Sequence, residues 1–438
     1  MHLWTTKHAV CPLLVAAVAG AALGQTAPCG GEIEQVILDV DADVERVNLS
    51  RVRVIDGQAW AVGWTVSATD SLNISYTLED GQWIPLETPS VADTIGRFRN
   101  SLYNLDGSSA SNIWAVGRHT GQTSSSDTLA LHWDGNEWEH VPTPGESMFG
   151  AQGFLFEGVY VPDEDTAWFV GFAASCVRGE GYIVRRNADG SFDEFCVGIP
   201  TNAAASYRDV DGVGPDDIWA VGGRGGVAVA VGRAIAAHWD GSSWTPNNPP
   251  EVNFGEVLEA VGMVGPDDVW ASGRYDRIVD NVARDTPLFW HWDGAGWTRH
   301  ESPGFARDLV ALSSDDIYGV SGDNIVHWNG VEWSLLPQEF DPAGSDFIAM
   351  SGVAAFGPCD LVFAGETLFP YRPAFARLQD SAGCVADFSG DGALNFADIA
   401  AFLDAFNAGD PAADLDGDGN LSFFDVSDFI AAFLAGCP

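Results

Sequence analysis

A unit of about fifty residues recurs seven times along this chain, and that period constrains the fold more than any other feature. Its first half reads GQAWAVG (57–63), SASNIWAVG (109–117), EDTAWFVG (164–171), GPDDIWAVG (214–222), GPDDVWASG (265–273), SSDDIYGVSG (313–322) and GPCDLVFAG (357–365). The aromatic anchors are Trp60, Trp114, Trp168, Trp219, Trp270, Tyr318 and Phe363, separated by 54, 54, 51, 51, 48 and 45 residues. The second half reads YTLEDGQW (76–83), LHWDGNEW (131–138), RRNADGSF (185–192), AHWDGSSW (237–244), WHWDGAGW (290–297) and VHWNGVEW (326–333), and the seventh unit has none. A fixed period of this length points to a propeller or a solenoid.

Within a unit the apolar runs are short, rich in Val, Trp and Phe, and divided by Gly, Pro and Asp clusters, which is the signature of strands and tight turns. The fifth unit resolves into strands over 258–264, 268–273, 288–292 and 296–301. Asp-Gly or Asn-Gly supplies the positive φ of a hairpin turn, and Pro-Asp-Asp supplies a fixed φ with a self-capping carboxylate. Four-stranded sheets repeated radially make a β-propeller. The expected fold is therefore mainly β, a seven-bladed propeller over 25–380, followed by a small all-α module over 384–438. Unit seven lacks an outer strand, and the spare strand EQVILDV (34–40) is expected to supply it. An eighth partial blade or an open ring is the alternative.

The tandem units resemble secreted bacterial propellers carrying W-A-V-G and H-W-[DN]-G-x-x-W signatures. Their turn is similar to the Asp-box of sialidase-like propellers, but the Ser/Thr that opens that box is missing. The resemblance implies architecture, not sialidase activity.

The formal net charge of −42 disfavours nucleic-acid phosphates and anionic membrane surfaces, and favours solubility and cations. Lys7 is the only lysine, so lysine-dependent chemistry has no residue to use after it. Residues 1–24 read as a cleaved signal peptide: Lys7, an apolar core over 9–22 too short to span a bilayer, and Ala22-Leu23-Gly24 before the cut. The chain is thus expected to be secreted or associated with the cell surface. Export permits disulfides. Cys176 and Cys196 lie in one unit, Cys384 and Cys437 bracket the C-terminal module, and Cys29 and Cys359 remain to tie the N-terminal strand to blade seven.

The segments after the W-A-V-G strands (64–75, 118–128, 172–181, 223–233, 274–287) vary most and are expected to be loops on one face of the ring. Arg118, Arg178, Arg224 and Arg274 recur in them beside Tyr275; they suit either an acidic or sugar ligand or pairing with local carboxylates. His132, His238, His291 and His327 fill one repeat slot and read as structural. Asp216 with Asp217, Asp267 with Asp268 and Asp315 with Asp316 read as turn caps. No catalytic residue is assigned.

The sharpest chemistry lies after residue 384. DFSGDGALNFAD (387–398) and DLDGDGNLSFFD (414–425) both fit a twelve-residue calcium loop. The ligand positions are Asp387, Ser389, Asp391, the Ala393 carbonyl, Asn395 and Asp398, then Asp414, Asp416, Asp418, the Asn420 carbonyl, Ser422 and Asp425. Two Ca²⁺ ions are expected, the second loop having one carboxylate more. Each loop leads into a helix with an apolar stripe: Ile399, Phe402, Leu403 and Phe406, then Val426, Phe429, Ile430 and Phe433.

Paired loops closed by Asp, without an entering helix, resemble type I dockerins. The end Gly436-Cys437-Pro438 resembles the Gly-Cys-terminated anchors of environmental bacteria. That resemblance implies docking to a cohesin-like or other surface or sorting receptor. The docking positions are Phe396, Ala397, Phe423 and Phe424, which are apolar where cellulosomal dockerins are polar. The resulting expectation is a secreted, non-enzymatic propeller that binds a glycan or protein ligand and is anchored through its calcium module. A polysaccharide-active glycoside hydrolase or lyase with the same module is the second reading, and an oligomeric surface-layer component the third.

Overall fold

The computed structural model describes residues 32–438, except 93–98, 121–125, 145–152, 179, 202, 226–231, 252–254, 280–281, 337–339, 341–347, 369, 380–385, 387, 389–395, 411–412, 414, 416–420 and 436–438. Residues 1–24, expected to be a signal peptide, and Cys29, Cys384 and Cys437 lie outside the described residues. Among the described residues no helix is long and apolar enough to cross a membrane.

Seven four-stranded antiparallel sheets follow one another as blades. Their inner strands are Arg46–Ile55, Asn100–Ser109, Phe154–Tyr160, Ala204–Gly214, Val257–Gly265, Asp308–Ser313 and Ile348–Gly357. In six blades the chain runs from the inner strand outward. In the seventh the outermost strand is Glu32–Ile37, paired antiparallel with Tyr371–Gln379 from Glu32 opposite Gln379 to Ile37 opposite Ala374. Strands from both ends of the propeller thus share one sheet, and the ring closes through backbone hydrogen bonds.

The repeat motifs cement the blades to one another. Trp219 of blade four meets Trp292 and Trp297 of blade five at 5.3 Å each. Trp168 meets Trp239 and Trp244 of the next blade at 4.9 and 5.5 Å, and Trp270 meets Trp328 and Trp333 at 4.7 and 5.5 Å. One anchor is therefore wedged between two tryptophans of its neighbour, and each aromatic pair adds about 0.5–1.5 kcal/mol beyond its buried area. Phe363 is not the seventh anchor. Val362 occupies the Trp register, opposite Ala354 as Trp219 is opposite Asp211, and packs toward blade one, whereas Phe363 packs back on blade six. Successive strand residues face opposite sides, so a shift of one position reverses the side.

The last glycine of W-A-V-G has a steric origin. Five inner strands carry a bulge opposite it, and so does the seventh. A Cβ on Gly63, Gly117, Gly171, Gly222, Gly273 or Gly365 would stand only 1.9–2.1 Å from a carbonyl oxygen of the bulged strand. In blade six the inner strand begins only at Asp308, and Ser321 stands in the glycine's place.

The C-terminal module contains two equal helices, α1 (Phe396–Ala408) and α2 (Phe423–Ala435). Their Phe402 and Phe429 rings stack at 4.1 Å, and Phe388 meets both edge-on. Helix α1 stops at Gly409, whose φ of 74° suits glycine; Asp410 N–H donates to the Ala405 carbonyl and Gly409 N–H to that of Phe406. The expected stripe is too wide by one residue per helix. Leu403 and Ile430 are 45% and 50% exposed, because two helices packed through one phenylalanine pair cover a single line on each.

Candidate functional site

Each bulge turns consecutive inner-strand residues toward the axis, and aligned registers give rings around the channel. The ring just past the bulge holds Arg51, Asn104, Gly158, Asp209, Ala260, Asp308 and Gly352. Arg51 reaches across from blade one: it donates to Asp308, and to Asp209 Oδ1 at 3.1 Å. Arg53 donates to Asp308 Oδ2 at 3.0 Å, and Asn104 Nδ2 to Asp209 Oδ1 at 2.9 Å. Arg51, Asn104, Asp209 and Asp308 are all buried. Each aspartate also takes a backbone N–H from the following blade, Val261 for Asp209 (3.1 Å) and Val353 for Asp308 (2.9 Å). This cluster plugs the channel and ties non-adjacent blades together. Burial holds the Asp209 carboxyl above the ordinary range although Arg51 and Arg53 pull it down. Burial alone would lower Arg53, but Asp308 and Asp209 outweigh it and raise the guanidinium.

On one side of the plug, Arg53, Asp106, Tyr160, Asp211 and Gly262 line a cavity of about 280 Å³. Asp106 Oδ2 accepts from Val161 N–H (2.7 Å) and Asp211 Oδ2 from Met263 N–H (2.8 Å), again the next blade. Burial pushes Asp106 up to about 7 and Asp211 up to about 6. On the other side, Glu157, Arg208 and Glu259 form a charged rim: Arg208 bonds Glu259 at 3.0 Å and lies 4.0 Å from Glu157. These channel residues escaped the repeat analysis because they differ from blade to blade. The available signal was charge inside otherwise apolar strands, as in SRVRVI (50–55) and RDVDG (208–212).

Two of the four loop arginines pair with carboxylates: Arg224 with Glu251 (3.1 Å), and Arg274 with Glu259 (3.0 Å) and Asp285 (2.9 Å). Segment 274–287 is no loop. The hairpin of Asp268–Val279 and Val282–Trp292 continues through it, with Arg274 opposite Pro287 and Val279 opposite Val282. The repeat histidines are structural. His238, His291 and His327 stack on Trp219, Trp270 and Tyr318 at 4.4–4.9 Å, and each Nε2 lies 2.8 Å from Asp217, Asp268 or Asp316. The second aspartate of each Asp-Asp pair is thus a histidine partner, not a turn cap. Cys176 and Cys196 form a disulfide in blade three, and Cys359 is also disulfide-bonded.

Of the calcium-loop residues, Asp398, Ser422 and Asp425 are described; Asp387, Ser389, Asp391, Ala393, Asn395, Asp414, Asp416, Asp418 and Asn420 lie outside the described residues. Asp398 and Asp425 take equivalent places in the first turns of α1 and α2, and both are fully buried. Asp425 accepts Leu415 N–H (2.9 Å) and Ser422 N–H (2.6 Å), while Ser422 Oγ accepts Phe424 N–H (3.1 Å) as an N-cap. Residues 384–438 contain ten aspartates and no lysine, arginine or histidine. With no basic side chain in this segment, hydrogen-bond donors, a proton or a cation are what can satisfy a buried carboxylate there. The donor set, all hard oxygens, fits calcium. Phe396, Phe423 and Phe424 are 79%, 78% and 67% exposed, and Ala397 is exposed beside them.

No protein-family model matches the chain, and no curated protein matches it. Among solved structures it is similar to the β-propeller domain of the Trilobed protease from Pyrococcus furiosus, at 12% identity and a TM-score of 0.43, over 76% of this chain and 94% of that one. It is also similar to the acylaminoacyl peptidase of Pyrococcus horikoshii, at 12% identity and a TM-score of 0.44, over 78% of this chain and 52% of that one. These findings correct the expectation of a non-enzymatic binding propeller with a glycoside hydrolase or lyase as its rival. The propellers found belong to a protease and a peptidase, propeller architecture does not separate binding from catalysis, and neither reading is retained.

Proposed function

We propose that residues 384–438 form a dockerin-like module that binds two calcium ions, and that calcium sets the docking face of an exported propeller protein. The observation that carries this reading is the burial of Asp398 and Asp425 in a segment without any basic residue. Asp387, Ser389, Asp391, the Ala393 carbonyl, Asn395 and Asp398 would hold one ion. Asp414, Asp416, Asp418, the Asn420 carbonyl, Ser422 and Asp425 would hold the other. Bound calcium supplies the charge that lets Asp398 and Asp425 stay ionised in the interior. Phe396, Ala397, Phe423 and Phe424 lie at the exits of the two loops and offer a mainly apolar surface to a cohesin-like or other surface receptor. Residues 1–24 would direct the chain out of the cytoplasm and into surroundings where calcium is abundant and disulfides form.

The test uses the full chain, stripped of metal and titrated with calcium by isothermal calorimetry and far-UV circular dichroism. Two ions bound with a gain of helix are expected, and both signals should vanish in the Asp398→Ala, Asp425→Ala double variant. A chain that takes up no calcium, or a double variant that behaves like the parent, would sink the reading.

A further inference from the structure

The seam where the ring closes carries a second feature, separate from the calcium module. After Glu32–Ile37 completes blade seven, residues 38–44 cross to the inner strand of blade one. They form one wall of an open cavity of about 840 Å³, within the range of small-ligand and peptide-side-chain sites. Its lining has two characters. Leu38, Leu72 and Ile74 make an apolar wall, and Leu72 stands 41% exposed. Asp41, Asp43 and Asp70 bring carboxylates, and no lysine, arginine or histidine lines the cavity among the described residues. Asp39 on the same wall pairs with Arg372 at 3.6 Å, so a guanidinium of the chain itself already sits at this edge.

Asn73 adds an independent observation. It lines the cavity, is only 4% exposed, and donates from Nδ2 to the Pro89 carbonyl at 2.8 Å. Its Oδ1 has no hydrogen-bond partner among the described residues. A buried acceptor left without a donor costs about 1–3 kcal/mol, and a ligand N–H would remove that penalty.

The aromatic residues decide between ligand classes. Trp83 and Tyr76 line the cavity, as a sugar site would require, but the Trp83 ring is stacked on Phe375 at 3.9 Å and Tyr76 meets the same ring edge-on. Both are 7% exposed, so neither offers a free face for a pyranose to stack on. An apolar wall beside carboxylates suits a different partner: a long side chain with an aliphatic stem and a cationic head. We propose that the seam cavity is a binding site for a cationic, amphipathic peptide segment, whose arginine or lysine stems lie along Leu72 and Ile74 and whose heads meet Asp41, Asp43 and Asp70.

Because the whole chain is strongly acidic, the test must separate the cavity from general attraction. The full chain would be titrated into a short fluorescein-labelled peptide of alternating arginine and leucine, and binding followed by fluorescence anisotropy. One variant is Asp41→Asn, Asp43→Asn, Asp70→Asn. A second removes the same number of exposed charges elsewhere: Glu137→Gln, Glu139→Gln, Glu332→Gln. Loss of three contacts of modest strength is expected to weaken binding by about tenfold or more in the first variant, and to leave the second within about twofold of the parent. Leu72→Ser should weaken binding further at high salt, where charge is screened and the apolar wall dominates. An equal loss in both triple variants, no loss in the first, or equal affinity for a matched glutamate-leucine peptide overturns the proposal. Thermal melts of each variant show whether the fold is intact, and these polar exchanges at the rim are expected to leave it so.

Discussion

The propeller channel and the C-terminal module both bury carboxylates completely, yet they neutralise them in opposite ways. In the channel, Asp209 and Asp308 meet Arg51, Arg53 and Asn104, delivered from other blades by the folding of the same chain. In the module, Asp398 and Asp425 are equally buried, but residues 384–438 hold no basic side chain. The first region can complete its electrostatics alone. In the second, under the proposed function, calcium from solution takes on that task. The stability of the two regions should therefore respond to different variables, one to mutation and the other to metal concentration.

The largest expected effect comes from breaking the channel network. Arg51→Leu leaves two buried aspartates short of their shared partner, and removing one member of a buried ionic cluster typically destabilises by about 3–5 kcal/mol. Urea unfolding followed by tryptophan fluorescence reads this directly, since the anchors lie at the blade interfaces. A variant with parental stability would mean that Asp209 and Asp308 are neutral and that the arginine is dispensable. Calcium should leave this transition unchanged.

Chelation gives the complementary experiment and the next largest effect. At calcium a hundredfold above its dissociation constant, binding stabilises the bound form by about 2.7 kcal/mol per site. EDTA is expected to melt α1 and α2, seen as a loss of helical dichroism, while the propeller's tryptophan transition stays in place. A propeller transition that moves with calcium to the same extent as the helices would erase the contrast between the two regions.

The seven-bladed ring was legible in the chain because its parts repeat: the Trp, the His and the Gly recur wherever the same contact recurs. The channel was not legible, because its residues fill one structural position with Arg51, Asn104, Gly158, Asp209, Ala260, Asp308 and Gly352 in turn, and only the assembled ring brings them together. The same independence from repetition hid the seam cavity. Val362 was missed for another reason, since Phe363 beside it mimics the anchor in type but faces the other side of the blade. In the module, two loops in register were visible from spacing alone, but the width of the apolar stripe was not, because it depends on how many helices pack together. Gly222 joins the two kinds of information: it repeats, and it permits the bulge that aims Asp209 inward. A Cβ there would stand 2.1 Å from the Ser206 carbonyl oxygen, so Gly222→Ala must displace the bulge. Overpacking of this kind costs about 1–3 kcal/mol. Ser321→Ala, at the matching position of blade six, should be close to neutral by the same urea assay.

The smallest effect concerns a third way of carrying a buried carboxylate, with a proton. Asp106, beside the plug, accepts from the backbone N–H groups of Val161 and Gly107, and burial pushes its carboxyl from 3.8 up to about 7. Between these values the folded chain holds the proton that the unfolded chain has released. The folded state then binds more protons, so stability falls as pH rises through this window and the protonated form's advantage is gone above it. Asp106→Asn keeps an acceptor for Val161 N–H and cannot ionise. It is expected to flatten that fall, by on the order of 1 kcal/mol at neutral pH, since the side chain borders the cavity and water screens part of its charge. Unfolding curves across the window would show it. An identical pH profile for the variant and the parent would place Asp106 with the ionised channel carboxylates and reduce three solutions to two.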